Sequence, residues 1–236
     1  MSQRNTDVGQ NGDTRDPIRF WPTIVSQEDT DVGQNGSTVC QARAVQRIAV
    51  IGTSGSGKTS LARRLAAELD APHLELDAVF HQAGWTPLPD DDFRAEVTAF
   101  CAGDRWVTCG KYAVVRDLLF ARADTIVCLD HGRLRQTLRV ARRTARRGVR
   151  REELWNGNRE SLRALWPFQD AEASIVRWAW DNVPRVRRLF VDLMAHPPHE
   201  GVRVIRLRGW PEIDRFLAEA RRIAPAEPIQ QVARES

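Results

Sequence analysis

The chain predicts an α/β fold, a parallel sheet with helices packed on both faces. Three observations carry this. Short apolar runs rich in β-branched residues recur at 47–51, 73–76, 105–109, 124–129 and 202–207. Between them lie longer stretches with helical spacing, and strands that alternate with helices build parallel sheets. The first run opens, through a glycine-rich turn, straight into the first helical stretch.

In chain order, Arg47-Ile48-Ala49-Val50-Ile51 reads as the first strand, bounded by Gly52. Lys58 to Leu69 reads as a helix, with Leu61, Leu65, Ala66 and Leu69 on one face. A strand over 73–76, a Trp/Pro/Gly loop over 81–89, a helix over 91–102, a strand over 105–109 and a helix over 113–121 follow. A strand over 124–129 leads into a long arginine-rich helix over 132–148. Helices within 159–166 and 171–195, a strand over 202–207 and a helix over 211–223 complete a domain spanning 45–223. Residues 1–44 read as a disordered extension: Asp, Asn, Gln, Gly, Ser and Thr dominate, and Thr6-Asp7-Val8-Gly9-Gln10-Asn11-Gly12 recurs as Thr30-Asp31-Val32-Gly33-Gln34-Asn35-Gly36. Two copies of so polar a unit cannot stack into a solenoid. A true start near Val39 or Val45 is an alternative reading of the same stretch. Residues 224–236 read as a short polar tail.

Composition narrows the function classes. The 236 residues carry 35 basic and 31 acidic side chains, a net charge of +4, too small a surplus to argue nucleic-acid binding by itself. Cys40, Cys101, Cys109 and Cys128 form no C-x-x-C pair, which points to reduced thiols rather than a zinc site or a disulfide framework. There is no apolar run of membrane-spanning length and no leader pattern, so the expected location is the cytoplasm.

Gly52-Thr53-Ser54-Gly55-Ser56-Gly57-Lys58-Thr59 is a complete G-x-x-x-x-G-K-[ST] element between strand and helix, and Ser60 continues the helix's first turn. Glycines let backbone N–H groups close around phosphate oxygens at a helix N-terminus. Lys58 is expected to reach the β- and γ-phosphates of a nucleoside triphosphate, and the Thr59 hydroxyl to ligate Mg²⁺. Only Lys58 and Lys111 are lysine; the other 33 basic residues are arginine. A compact ammonium thus stands where a guanidinium fork would crowd a phosphate cradle.

The P-loop, Leu76-Asp77, Gly84-Trp85-Thr86-Pro87, the strand ending in Leu129-Asp130, the arginine-rich helix and Trp155-Asn156-Gly157-Asn158-Arg159-Glu160 occur in that order. Over about residues 46–222 the chain resembles the adenylate-kinase-like P-loop proteins often labelled DNA topology modulation or FlaR-related. The resemblance implies a P-loop NTPase three-layer fold, like the nucleoside monophosphate kinases: a five-stranded parallel sheet with helices on both faces and an arginine-rich helical lid. It places acceptor contacts at Asp77, which could orient a hydroxyl or a metal-bound water; a capping carboxylate at a turn is the plainer alternative. His81 and Trp85 could line the same pocket, although a Trp beside Gly and Pro also serves as a loop anchor. Arg116 matches the position of an arginine that grips an acceptor's phosphate in nucleotide kinases.

Within the arginine-rich helix, Arg135, Arg139, Arg142 and Arg146 fall on one face, and Leu134, Leu138, Ala141 and Ala145 form the adjoining apolar stripe expected to pack. No acidic residue lies within helical reach before Glu152 and Glu153, so a polyphosphate would relieve the repulsion. Lys58, Asp77, Arg142 and Arg146 are therefore the expected catalytic set. One departure stands out: relatives end the third strand in an acidic residue that holds Mg²⁺ through water, whereas Cys109 and Lys111 stand here in place of Asp and Asn. A neutral thiol is no ligand for a hard cation; Asp77 or Asp130 could compensate, and Lys111 could act as a second cation near the phosphates. The expected function is phosphoryl transfer from ATP, with Mg²⁺, to a nucleotide or other small acceptor. The alternative is a non-catalytic nucleotide switch or a nucleic-acid-associated ATP-binding protein.

Overall fold

Strand β1 (Arg47–Gly52) is hydrogen-bonded on both sides, and its position explains why its run is apolar from Ile48 onward. In the computed structural model, which describes residues 45–165 and 174–223, five parallel strands lie in the order β2-β3-β1-β4-β5. The others are β2 (His73–Glu75), β3 (Trp106–Cys109), β4 (Thr125–Leu129) and β5 (Arg203–Leu207). The two polar tails and parts of the helices read within 159–166 and 171–195 lie outside the described residues.

Successive side chains of β1 point to opposite faces and build two cores. Ile48 and Val50 pack with Leu61 and Leu65 of α1 (Lys58–Glu68) and with Phe216 and Leu217 of α7 (Trp210–Ile223). Ala49 and Ile51 pack on the other side. Their partners are Phe93 and Val97 of α3 (Asp90–Cys101), Phe120 of α4 (Arg116–Arg122) and Phe190 of α6 (Ile175–Ala195). Asp124 fixes the start of β1 by accepting from the backbone N–H groups of Gln46 at 3.1 Å and Arg47 at 2.7 Å. The α/β three-layer prediction holds.

Three expectations need correction. The second strand stops at Glu75 because its partner runs out: Glu75 pairs with Cys109, the last residue of β3. Leu76, wholly buried, then opens a five-residue helix α2 (Leu76–Phe80), which puts Asp77 in a helical first turn rather than at a strand end. The helix expected over 113–121 begins as a tighter 3-10 turn, Ala113–Val115, before α4.

The third correction concerns α5 (Arg133–Arg150). Its buried residues are Gln136, Thr137, Val140 and Thr144, whereas Leu134 and Leu138 are 63% and 55% exposed. The packed face is chosen by what it meets, and much of that is polar. The Gln136 amide accepts from the Thr53 hydroxyl of the P-loop and donates to the His131 carbonyl at 3.1 Å. A leucine there would leave those buried groups unpaired, at a cost of about 1–3 kcal/mol each.

Two truncations distinguish this packing from the apolar stripe. Phe93→Ala should cost about 3–5 kcal/mol in urea unfolding, as expected for a fully buried aromatic. Leu138→Ala should cost no more than about 0.5 kcal/mol. Equal losses would restore the leucine face to the core.

Candidate nucleotide and acceptor site

The loop between β1 and α1 is shaped for an anion. Gly57, with φ 92°, caps α1 without any side-chain hydrogen bond, and the first turn of the helix holds no acidic residue. Its leading N–H groups therefore have no side chain to satisfy them, and the positive end of the helix dipole faces the loop. Gly52 permits the close fold of this loop, since a Cβ there would lie 2.7 Å from Ser56 Oγ and 3.1 Å from the Leu129 carbonyl oxygen. Ser56 Oγ is itself buried without a partner. Lys58 donates to the Thr53 carbonyl at 3.1 Å, which lays its ammonium across the loop mouth. Burial holds its pKa below the usual lysine range, against the opposing pull of Asp77. A phosphate chain fits this cradle. Ser60 lies exposed in the first turn, and Ser54 and Gly55 form the outer bend.

Thr59 lies beside a carboxylate that the sequence reading passed over. Its hydroxyl donates to Glu75 Oε1 at 2.9 Å, and Arg63 approaches Glu75 Oε2 at 3.3 Å. Cys109, across the ladder from Glu75, has its sulfur 3.8 Å from Thr59 Oγ1 and 3.4 Å from His73 Nε2. Burial first, and Glu75 next, push this thiol up to about 12, so it is neutral. A hydroxyl and a carboxylate at a phosphate cradle are hard oxygens of the kind Mg²⁺ takes. The metal could thus be held by Thr59 and Glu75 without Cys109. Glu75 looked like an ordinary strand residue because only the β2 to β3 register shows that it faces the missing acid.

Asp77 Oδ1 accepts from the Tyr112 hydroxyl at 2.6 Å, and His81 Nε2 lies 3.4 Å from the same hydroxyl. Tyr112 thereby fixes one oxygen of Asp77. Burial, then the neighbouring Asp77 and its bond, raise the phenol's pKa, so Tyr112 acts as a neutral donor. His81 is held below the ordinary histidine range by burial, with Asp77 opposing.

The W-N-G-N segment clamps the loop that carries these groups. Asn156 Nδ2 donates to the Ala78 and His81 carbonyls at 3.2 and 2.6 Å, and Asn158 Nδ2 to the Gln82 carbonyl at 2.8 Å. Trp155 stacks on His81 with ring centroids 6.3 Å apart, and Trp85 meets the same ring edge-on at 5.3 Å. Trp85 donates its backbone N–H to Asn158 Oδ1 at 2.8 Å and its indole N–H to the Arg159 carbonyl at 3.3 Å. These bonds make Trp85 a loop anchor, 40% exposed.

On α5, Arg143 is the guanidinium that bonds the loop, reaching Ser54 Oγ at 3.2 Å. Arg142 and Arg146 are exposed and, with Arg139, Arg143 and Ala145, line a hollow of about 570 Å³. Glu160 pairs with Arg147 at 2.8 Å and with Arg143 at 3.6 Å, so the helix is not without acidic partners. Asp130 is not available to a metal: it is buried between Arg187, at 2.8 Å, and Arg206.

Further cations gather around Asp77. Lys111 donates to Asn182 Oδ1 at 3.3 Å, and burial, with Lys58, Arg116 and Arg185 adding repulsion against a weaker pull from Asp77, lowers its pKa to about 8. Burial also lowers that of Arg116, at the start of α4.

Against known proteins, residues 48–156 match a family model described as an AAA domain. The match spans the loop, Glu75, Asp77, Lys111, Arg116 and the start of the W-N-G-N segment. No curated protein matches the chain. Solved structures similar to it include a gluconokinase from Sinorhizobium meliloti, 22% identical over 77% of this chain and 90% of that one, with a TM-score of 0.42. A sugar kinase from Janibacter sp. is 21% identical over 77% and 99%, with a TM-score of 0.38. A shikimate kinase from Bacteroides thetaiotaomicron is 13% identical over 75% and 97%, at 0.44. Among the described residues no helix is long and apolar enough to cross a membrane.

The depressed Lys111 has a signed consequence for stability. Its folded pKa lies below the unfolded value of 10.5, so the fold bears the full cost of the charge below about pH 8 and sheds it as pH rises towards 10.5. Lys111→Met should therefore melt above the parent at pH 7 without ligands, and the gap should close by pH 10. A lower melting temperature for the variant at pH 7 would show that the ammonium is stabilising.

Proposed function

We propose that the chain is an ATP-dependent phosphotransferase, within the adenylate-kinase-like group that its motifs resemble, acting on a hydroxyl of a small acceptor. The observation that carries this reading is the pairing of two carboxylates with two separate tasks at the edge of one phosphate cradle. Glu75 is bonded to the Thr59 hydroxyl, and Asp77, two residues on, is bonded to Tyr112.

In this reading the N–H groups of Gly55 to Thr59 and the Lys58 ammonium hold the β- and γ-phosphates of ATP. Thr59 and Glu75 would hold Mg²⁺, which supplies neutralisation of charge on the phosphate oxygens. Asp77, one oxygen fixed by Tyr112, accepts the acceptor's hydroxyl proton through the other. The acceptor oxygen forms its bond to the γ-phosphorus as the bond from that phosphorus to the bridging oxygen breaks, and that electron pair leaves on ADP. Arg143, already bonded to the loop, would lie against the transferring group, while Arg142 and Arg146 along the adjoining hollow close over it as a lid and exclude water. His81 and Trp85, held by the W-N-G-N segment, would wall the acceptor side.

A coupled ADP-release screen across nucleotides, sugars, sugar acids and small hydroxy acids tests the reading. Some acceptor should stimulate ADP formation, Asp77→Asn should lower that stimulated rate by about 10²–10⁴-fold, and ATP affinity should be nearly unchanged. Slow ATP hydrolysis that no acceptor stimulates and that Asp77→Asn does not alter would refute it.

A further inference from the structure

Glu160 is carried on a turn that its own backbone closes. Leu154 donates to the Asn158 carbonyl at 2.7 Å, Asn158 donates back to the Trp155 carbonyl at 3.1 Å, and Glu153 pairs with Arg159 as an antiparallel bridge. The same turn is tied to the loop over 78–85 through Asn156 and Asn158. Just past the buried Asn158, a single oxygen of Glu160 faces two arginines of α5: Oε1 lies 2.8 Å from Arg147 and 3.6 Å from Arg143. Its other oxygen, Oε2, is buried without a hydrogen-bond partner among the described residues, as are the Nε groups of both arginines. Asp130 shows a completed ion pair in this protein, with Oδ1 on Arg187 and Oδ2 on Arg206. Glu160 keeps one oxygen in reserve.

The nitrogen of Arg143 that approaches Glu160, Nη2, is the one that bonds Ser54 of the phosphate-binding loop at 3.2 Å. Arg143 and Arg147 stand one turn apart on α5, where like charges repel, and the shared carboxylate offsets that repulsion and draws both side chains to one side. A guanidinium donates from more than one edge. If Glu160 Oε2 takes the free Nε–H of Arg143, the terminal nitrogens remain for a phosphate beside Ser54. We propose that Glu160 is a positioning residue, which aims Arg143 at the terminal phosphate of a nucleoside triphosphate held by the loop. The proposal deepens the phosphotransferase reading above and rests on it.

The test uses the full chain with Mg²⁺ and compares, by calorimetry, the affinities for ADP and for the β,γ-imido analogue of ATP, which differ by the terminal phosphate. Removing a carboxylate near the site would by charge alone tighten an anion, so a weaker grip on the analogue is the signature of lost aim. Glu160→Gln should weaken the analogue about fivefold relative to ADP, with ADP itself changed by less than about twofold, and Arg143→Gln should do the same. In the double variant the two losses should not add, because one acts through the other. Glu160→Asp, which keeps the charge but draws the carboxylate back, should lose the analogue in the same direction and serves if Glu160→Gln does not fold; melting curves establish folding. A preference for the analogue over ADP that is unchanged or raised in the folded Glu160 variant, or unchanged in Arg143→Gln, would overturn the proposal. So would additive losses in the double variant, or a parent that binds neither nucleotide. An unaltered preference in Glu160→Gln with acceptor-stimulated ADP release intact would leave the phosphotransferase reading standing. The expected losses of preference without release stimulated by any acceptor would defeat that reading and leave the role of Glu160.

Discussion

The rest of the site depends on one constraint, the bare N-terminus of α1 held at the carboxyl end of the central strand. β1 is buried on both faces and bonded on both edges, so the position of Gly52 is fixed by packing on every side. From there the chain has room only for a tight turn, and it delivers a helix whose first N–H groups receive no side-chain cap. Helix ends are normally satisfied by a capping oxygen worth about 1 kcal/mol. Most described helices of this protein also start without a side-chain cap; what marks this end is the half-buried Lys58 laid across it beside the partnerless Ser56 Oγ, an arrangement that an external anion would complete.

What surrounds that end is a division of labour among charges. Glu75 sits with the Thr59 hydroxyl and Asp77 with the Tyr112 hydroxyl, so each carboxylate has a partner that fixes its orientation. A third carboxylate at Cys109 would stand directly across the ladder from Glu75, and like charges so placed destabilise one another. The neutral thiol avoids that. Cys109 is thus compatible with metal-dependent chemistry because the neighbouring strand carries the acid.

The fold was legible because its signals are local: five apolar runs, helical spacing between them and a complete P-loop are each contained in a few consecutive residues. The place of Lys58 at the end of that loop was legible for the same reason, whereas Asp77 was singled out by the family resemblance. The place of Glu75 beside Thr59 and opposite Cys109 was not legible, since it follows from strand register, a relation between residues 34 positions apart in the chain. Helical periodicity put Arg135, Arg139, Arg142 and Arg146 on one face of α5 and pointed to the Leu134 and Leu138 stripe as the packed side, because spacing does not show what a face will meet. Contact with Thr53 chose Gln136 and Val140 over Leu134 and Leu138, and with them Arg143 over Arg142 and Arg146 as the residue bonded to the loop. Glu160 escaped notice because it returns to Arg143 and Arg147 from beyond the end of the helix.

The most direct test of the central claim, that the bare helix end and Lys58 form a triphosphate cradle, is calorimetric titration with the non-hydrolysable β,γ-imido analogue of ATP in the presence of Mg²⁺. The folded parent should bind one analogue per chain, and Lys58→Ala should weaken that binding at least about tenfold with its melting temperature no lower than the parent's, since the lost ammonium is half-buried and costly to the empty protein. Equal affinity in a folded Lys58→Ala variant, or no binding by the parent, would contradict it.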